Sequence, residues 1–247
     1  MKICAIDSSG QVASVAVVND QIIEAEYTIQ HGVTHSQTLL PMLDEVSRMI
    51  ELDLQDLDAF ALAVGPGSFT GLRIGAATVK GLGLALDKPV VSVPTLEALA
   101  MNAFGSGDLV CPIMDARRHQ VYTGIYSYIY EEKTKDYSME VIMGQSACAF
   151  EDLCDRLNEL GRRVMFIGDG IPVYEQEMAQ RLQVEYLVAP QHMNRQKAGS
   201  VASLAFRYLQ GKADKLEGCV TTVDEQTPIY LRMSQAEREK KERQSET

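Results

Sequence analysis

The feature that most constrains the fold is an internal echo. Residues 3 to 18 read ICAIDSSGQVASVAVV, and residues 110 to 125 read VCPIMDARRHQVYTGI. Each is an apolar run ending in an aspartate, then a polar turn, then a second run of alternating pattern, the signature of a β-hairpin. Asp7 and Asp115 hold matching places where strand gives way to turn. A third strand follows each hairpin, near Gln21–Tyr27 and near Tyr137–Met143. The first half then continues with a helix near Thr34–Ile50, a strand near Ala59–Val64, a helix from Gly71 and a strand at Pro89–Val93. The second half continues with Phe150–Leu160, Val164–Ile167, Val173–Leu182, Glu185–Val188 and Gly199–Gln210 in the same alternation.

A strand triplet followed by alternating helices and strands makes a mixed sheet flanked by helices, here twice. The class is α/β, and the duplicated βββαβαβα layout is that of the actin-like (ASKHA) ATPase superfamily. Two hairpins can resemble each other by chance, but the order of the later elements favours duplication. The expected division is an N-terminal lobe over 1–103 and a C-terminal lobe over 104–221, with 222–247 packing back on the first. At 247 residues, 46% of them hydrophobic, the chain can fill two modest cores.

Charge narrows the partners. Lys and Arg number 23 against 34 Asp and Glu, a net of −11. Gripping nucleic acid unaided relies on lysines and arginines that release counterions, so an acidic chain is a poor candidate for it. Five cysteines (Cys4, Cys111, Cys148, Cys154, Cys219) form no C-x-x-C pair, and Cys4 and Cys111 lie in apolar runs. Buried, reduced thiols are the expectation. With no secretory signal at the start and no bilayer-length apolar segment, the expectation is a soluble cytoplasmic protein.

The stretch GPGSFTGLRIGAA at 65 to 77 stands at a strand-to-helix turn. It is neither familiar phosphate loop. Thr70 stands where a dinucleotide fingerprint needs its third glycine, and Leu72-Arg73 does not supply the Gly-Lys-Ser/Thr of a Walker A loop. The aspartates are ambiguous. In actin-like kinases such residues orient Mg²⁺-bound water about a phosphate. The turn Ser8-Ser9-Gly10 partly suits a backbone cradle, whereas Ala116-Arg117-Arg118-His119 is too bulky for one. The simpler role for both aspartates is capping a hairpin turn. Asp7, Ser8 and Asp115 are thus weak nucleotide-site candidates, and an ATP-dependent phosphotransferase using Asp7 and Asp115 is the alternative function. No catalytic group and no cofactor is assigned.

No metal site is expected either. His31 and His35 are spaced H-x-x-x-H, but Gly32 and Val33 disfavour helix there. Thr34 with Gln37 reads as a capping box that starts the helix after His31. No nearby Cys or Asp completes a ligand set. His119 and His192 lie in polar turns.

Two helices carry more apolar surface than one core needs. Leu39, Leu43, Val46 and Ile50 form a stripe, with Leu40, Met42 and Met49 beside it, and Pro41 should bend that helix. In the next helix Leu72, Ala76, Val79, Gly83 and Leu86 share one face, and Gly71, Gly75, Thr78, Leu82 and Ala85 another. The small residues suit close approach of a second helix. On the residues alone, a partner seam and a deep single-chain core are equally good readings.

Four stretches carry a family resemblance: AIDSS near the start, HSQTLLPML at 35 to 43, GPGSFTGLRIGAA, and PIYLRMSQAE at 228 to 237. With PVVSVPTLEALA and the GDG at 168 to 170, they resemble the TsaB (YeaZ) family of bacterial threonylcarbamoyladenosine tRNA modification. The resemblance implies an actin-like, non-catalytic scaffold. Such a subunit forms a homodimer alone, pairs with its catalytic paralogue TsaD, and works with the ATPase TsaE. It would meet tRNA only through that complex. It also favours the seam, with His35, Ser36, Leu39, Leu40, Met42, Leu43, Thr70, Gly71, Leu72, Arg73, Gly75 and Thr78 at the interface. TsaD carries a paired-histidine metal motif in a helix where this chain reads VPTLEALA. Thr95 and Leu99 stand at the ligand positions, and Glu97 between them is expected on an exposed helix face.

Overall fold

The computed structural model describes residues 1–31, 34–213 and 219–232. The tail from Gln235 to Thr247, whose alternating charges suit either a solvated helix or disorder, lies outside the described residues. The first half runs β1 (Lys2–Asp7), β2 (Ala13–Asn19), β3 (Ile22–Ile29), α1 (His35–Met49), β4 (Ala59–Ala63), α2 (Phe69–Leu86), β5 (Val90–Val93) and α3 (Thr95–Ala100). The second runs β6 (Leu109–Asp115), β7 (Gln120–Glu131), β8 (Asp136–Ala149), α4 (Phe150–Leu160), β9 (Val164–Ile167), α5 (Ile171–Arg181), β10 (Tyr186–Val188) and α6 (Ala198–Leu209). A short strand, β11 (Val220–Thr221), closes the described order.

The two sheets have one topology. Their orders are β11-β5-β4-β1-β2-β3 and β10-β9-β6-β7-β8, so apart from β11 each strand has a counterpart in the same place. β1 pairs antiparallel with β2 (Ile3 opposite Val18) and parallel with β4 (Ile3 opposite Ala59). β6 does the same with β7 and β9. This is the duplicated βββαβαβα layout expected from the sequence. β8 outruns its expected length because it pairs with β7 from Glu131–Asp136 to Gln120–Ala149 and feeds directly into α4.

Each sheet is covered on both faces, and the middle helices are exchanged. α1 and α2 pack through Leu39, Leu43, Val46 and Val79 on one face of the first sheet. α4 and α5 pack through Leu153, Leu157 and Tyr174 on one face of the second. α3 follows the first sheet's β5, yet Leu96 and Leu99 pack with Val110 and Tyr126 of the second. α6 follows the second sheet's β10, yet Val201, Ala202 and Ala205 pack with Ile3, Ala5 and Ala61 of the first. So α6, grouped by sequence order with residues 104–221, covers the first sheet. Asn102 joins the exchanged elements, donating to the Met193 and Arg195 carbonyls at 2.7 Å while accepting from Ser200 Oγ.

Cys4, Cys111, Cys148 and Cys154 are free thiols, and burial pushes those of Cys4 and Cys111 up to about 12. Among the described residues no helix is long and apolar enough to cross a membrane.

Candidate functional site

A cavity of about 370 Å³ opens between the two hairpin turns. Ser9, Gly67 and Ser68 line it from the first half, Asp115, Arg117 and Asp169 from the second. Both hairpin aspartates cap their own turns. Asp7 Oδ1 accepts from Ser9 N at 2.9 Å, and Asp115 Oδ1 accepts from Arg117 N at 2.8 Å. Asp7 also accepts from Ser9 Oγ at 2.6 Å and is buried. Burial raises its pKa to about 6, against the pull of the Ser9 bonds. Ser8 turns the other way and donates its hydroxyl to the Gly71 carbonyl.

The next loop is also duplicated. Gly65-Pro66-Gly67 follows β4 and Gly168-Asp169-Gly170 follows β9, with φ of 120° at Gly65 and 126° at Gly168. Only glycine adopts that conformation freely. Crowding adds a second reason: a Cβ at Gly67 would stand 2.2 Å from the Ser9 carbonyl oxygen, and one at Gly168 2.1 Å from that of Ile113. Asp169 is thereby carried to the cleft, where burial raises its pKa and the nearby Arg195 lowers it. The β6–β7 turn is unlike the β1–β2 turn. Arg117, Arg118 and His119 are all left-handed, at φ 64°, 56° and 55°.

Gly71, Gly75 and Gly83 of α2 are crowded by other parts of this chain. A Cβ at Gly71 would stand 2.0 Å from the Ser8 carbonyl oxygen, and one at Gly75 2.4 Å from Ser8 Oγ. Gly83 lies against Val223. At Gly71 and Gly75 the close neighbour is Ser8 of the β1–β2 turn, and at Gly83 it is Val223 of the C-terminal segment.

The seam residues accordingly divide. Leu39, Met42, Leu43, Leu72, Gly71 and Gly75 are buried within the chain. His35 is half-buried, with Nε2 2.9 Å from the Gly10 carbonyl, and Thr78 donates to the Ile74 carbonyl. Ser36, Leu40, Thr70 and Arg73 are exposed. Leu40 is 53% exposed, Met49 71% and Leu84 74%, so α1 and α2 present apolar side chains to solvent. Leu84 carries no sequence signal, because a leucine outside the two helical stripes reads as ordinary surface. Thr34 makes no side-chain cap, contrary to the capping-box expectation; Gln37 N bonds its carbonyl at 2.9 Å.

In α3 both Thr95 and Leu99 serve packing. Thr95 accepts from Gly65 N at 3.0 Å and returns its own N–H to the Gly65 carbonyl at 2.9 Å. Leu99 is buried. Glu97 is not on an exposed face: it is half-buried and accepts from Tyr208 Oη at 2.7 Å. Among the described residues no group of three His, Cys, Asp or Glu is placed to hold a metal ion.

The C-terminal segment forms the cleft's remaining wall, a role the sequence did not disclose. Ile229 N donates to the Val64 carbonyl, Tyr230 stacks on Phe69 with ring centroids 4.3 Å apart, and Arg232 donates to the Ala116 carbonyl.

The family model for TsaD, described as tRNA N6-adenosine threonylcarbamoyltransferase, matches residues 28–240. The tRNA threonylcarbamoyladenosine biosynthesis protein TsaB of Bacillus subtilis is 33% identical over 239 residues, 96% of each chain. TsaB of Haemophilus influenzae is 32% identical over 187 residues, 71% of this chain and 75% of that one. The solved structure of YeaZ from Pseudomonas aeruginosa superposes with a TM-score of 0.74 at 25% identity, covering 93% of this chain and 99% of that one. The chain belongs to the TsaB family of tRNA threonylcarbamoyladenosine biosynthesis proteins.

Proposed function

We propose that this chain is the non-catalytic partner subunit of the threonylcarbamoyladenosine system and pairs with TsaD through the solvent face of α1 and α2. The observation that carries it is the use made of α3. Thr95 is committed to holding Gly65 and Leu99 to the core, so the two positions that the family resemblance sets against the TsaD metal motif serve packing. Leu40 on α1 and Leu84 on α2 are exposed apolar side chains of the kind that supports association. The subunit forms a homodimer alone, joins TsaE through TsaD, meets tRNA only within the complex and works in the cytoplasm. Residues 1–103, with α6 against them, act as the partner-binding lobe, and most of 104–221 as the second.

The test is reconstitution of tRNA modification from tRNA, a threonylcarbamoyl-adenylate donor and purified TsaD and TsaE, with and without this chain. The expected result is modification that requires it, together with co-elution with TsaD on a sizing column. Full modification in its absence would remove the reading. Mg²⁺-dependent ATP turnover by the isolated chain, abolished by Asp7→Ala, would replace it with the phosphotransferase.

A further inference from the structure

The segment from Gln226 to Arg232 touches both halves of the molecule at the mouth of the cleft. On the first half, Ile229 N donates to the Val64 carbonyl at 2.7 Å. The Ile229 carbonyl oxygen lies where a Cβ on Gly65 would stand 2.3 Å away, so the loop after β4 is shaped to receive the segment. On the second half, the Arg232 guanidinium donates to the Ala116 carbonyl, and to the Arg117 carbonyl at 3.3 Å. Those carbonyls belong to the turn in which Arg117, Arg118 and His119 are left-handed, a conformation that persists where neighbours enforce it.

Between these anchors, Tyr230 reaches α2. Its ring stacks on Phe69, and its hydroxyl accepts from Arg73 Nε at 3.3 Å. The Arg73 guanidinium also lies 4.2 Å from the Phe69 ring centroid. The side chain is exposed, yet held on two sides. Its two terminal nitrogens have no protein hydrogen bond among the described residues, which leaves a planar fork free for bidentate pairing with a carboxylate. Holding the fork beforehand removes part of the ordering entropy that binding would otherwise cost.

We propose that Gln226–Arg232 is a latch that ties the β6–β7 turn to the start of α2, so that closure of the cleft sets the presentation of Arg73 to an acidic side chain of the partner. The latch part stands on the chain alone; the acidic contact rests on the reading that this face of α2 meets the partner.

The experiment uses the full chain with Arg232→Ala and Tyr230→Phe. Hydrogen exchange of the free chain tests the latch. Arg232→Ala should speed exchange about tenfold or more both at residues 116–120, the turn whose Ala116 and Arg117 carbonyls it holds, and at residues 64–73, to which Ile229 and Tyr230 are joined. Faster exchange at 116–120 alone, or none, overturns the latch. Tyr230→Phe keeps the stacking and removes only the acceptor for Arg73. It should weaken TsaD binding several-fold, with a smaller salt dependence than wild type, while exchange at 116–120 stays unchanged. Wild-type affinity in Tyr230→Phe and in Arg73→Gln, when the unaltered chain does pair, overturns the acidic contact. If the unaltered chain does not pair, the proposed function fails and the exchange result still decides the latch.

Discussion

Tyr208 donates its hydroxyl to Glu97 at 2.7 Å, joining α6 to α3, the two helices that the halves of the molecule exchange. Burial raises the Glu97 pKa against the pull of that bond, and Tyr208 is itself pushed well above the usual phenol range. Tyr128 braces the same place by donating to the Ala100 carbonyl at 2.8 Å. Removing the donor leaves a half-buried carboxyl without its partner. Tyr208→Phe should therefore cost about 1–3 kcal/mol, read as a lower urea midpoint with unchanged slope. Glu97→Gln, which keeps an accepting oxygen, should cost less. Equal losses in the two variants would place the effect elsewhere.

The glycines of α2 separate by what stands over them. Gly75→Leu should fail to fold, because its side chain would enter the space of Ser8 and Leu62. Gly81 is exposed, and a Cβ there would meet nothing within 4 Å, so Gly81→Ala should gain up to about 1 kcal/mol from helix propensity. Circular dichroism and thermal melting distinguish the two, and a folded, stable Gly75→Leu would contradict the packing.

Leu40 is 53% exposed on α1, so a glutamate there is compatible with the folded chain. At an apolar contact the same glutamate would bury an unpaired charge at a cost of several kcal/mol. Leu40→Glu should fold as wild type and no longer co-elute with TsaD. Leu84→Glu, on the neighbouring helix and 74% exposed, should do the same. Folded variants that still pair at wild-type affinity would move the interface off this face.

The duplication was legible because it is written twice. The strand-Asp-turn pattern at Asp7 and Asp115 reports a hairpin cap that depends only on neighbouring residues. The exchange of α3 and α6 was hidden, since an apolar stripe on α6 fits either sheet and sequence order argues for the wrong one. Gly71 and Gly75 announced a close approach without naming what approaches, and a small residue cannot do so. The half-buried setting of Glu97 comes from Tyr208, 111 residues away, and no local pattern encodes that contact. The latch was silent for the same reason: Tyr230 and Phe69 meet only once the first half has folded.

Asp7 gives the chain a pH signature. Its pKa rises from 3.8 to about 6 on folding because burial penalises the charged form. Between those values the folded state holds more of the proton than the unfolded state, so stability falls as pH rises through the window and levels off above it. A shift of that size corresponds to as much as about 3 kcal/mol. Asn at this position presents an oxygen that can keep both Ser9 bonds and has no charge to desolvate. The stability of Asp7→Asn relative to wild type should therefore increase between about pH 4 and about pH 7, by up to that amount. Urea midpoints of both proteins across this range measure it. A difference between them that stays constant with pH would show that Asp7 titrates alike in the folded and unfolded chain, and that its burial does not hold the proton.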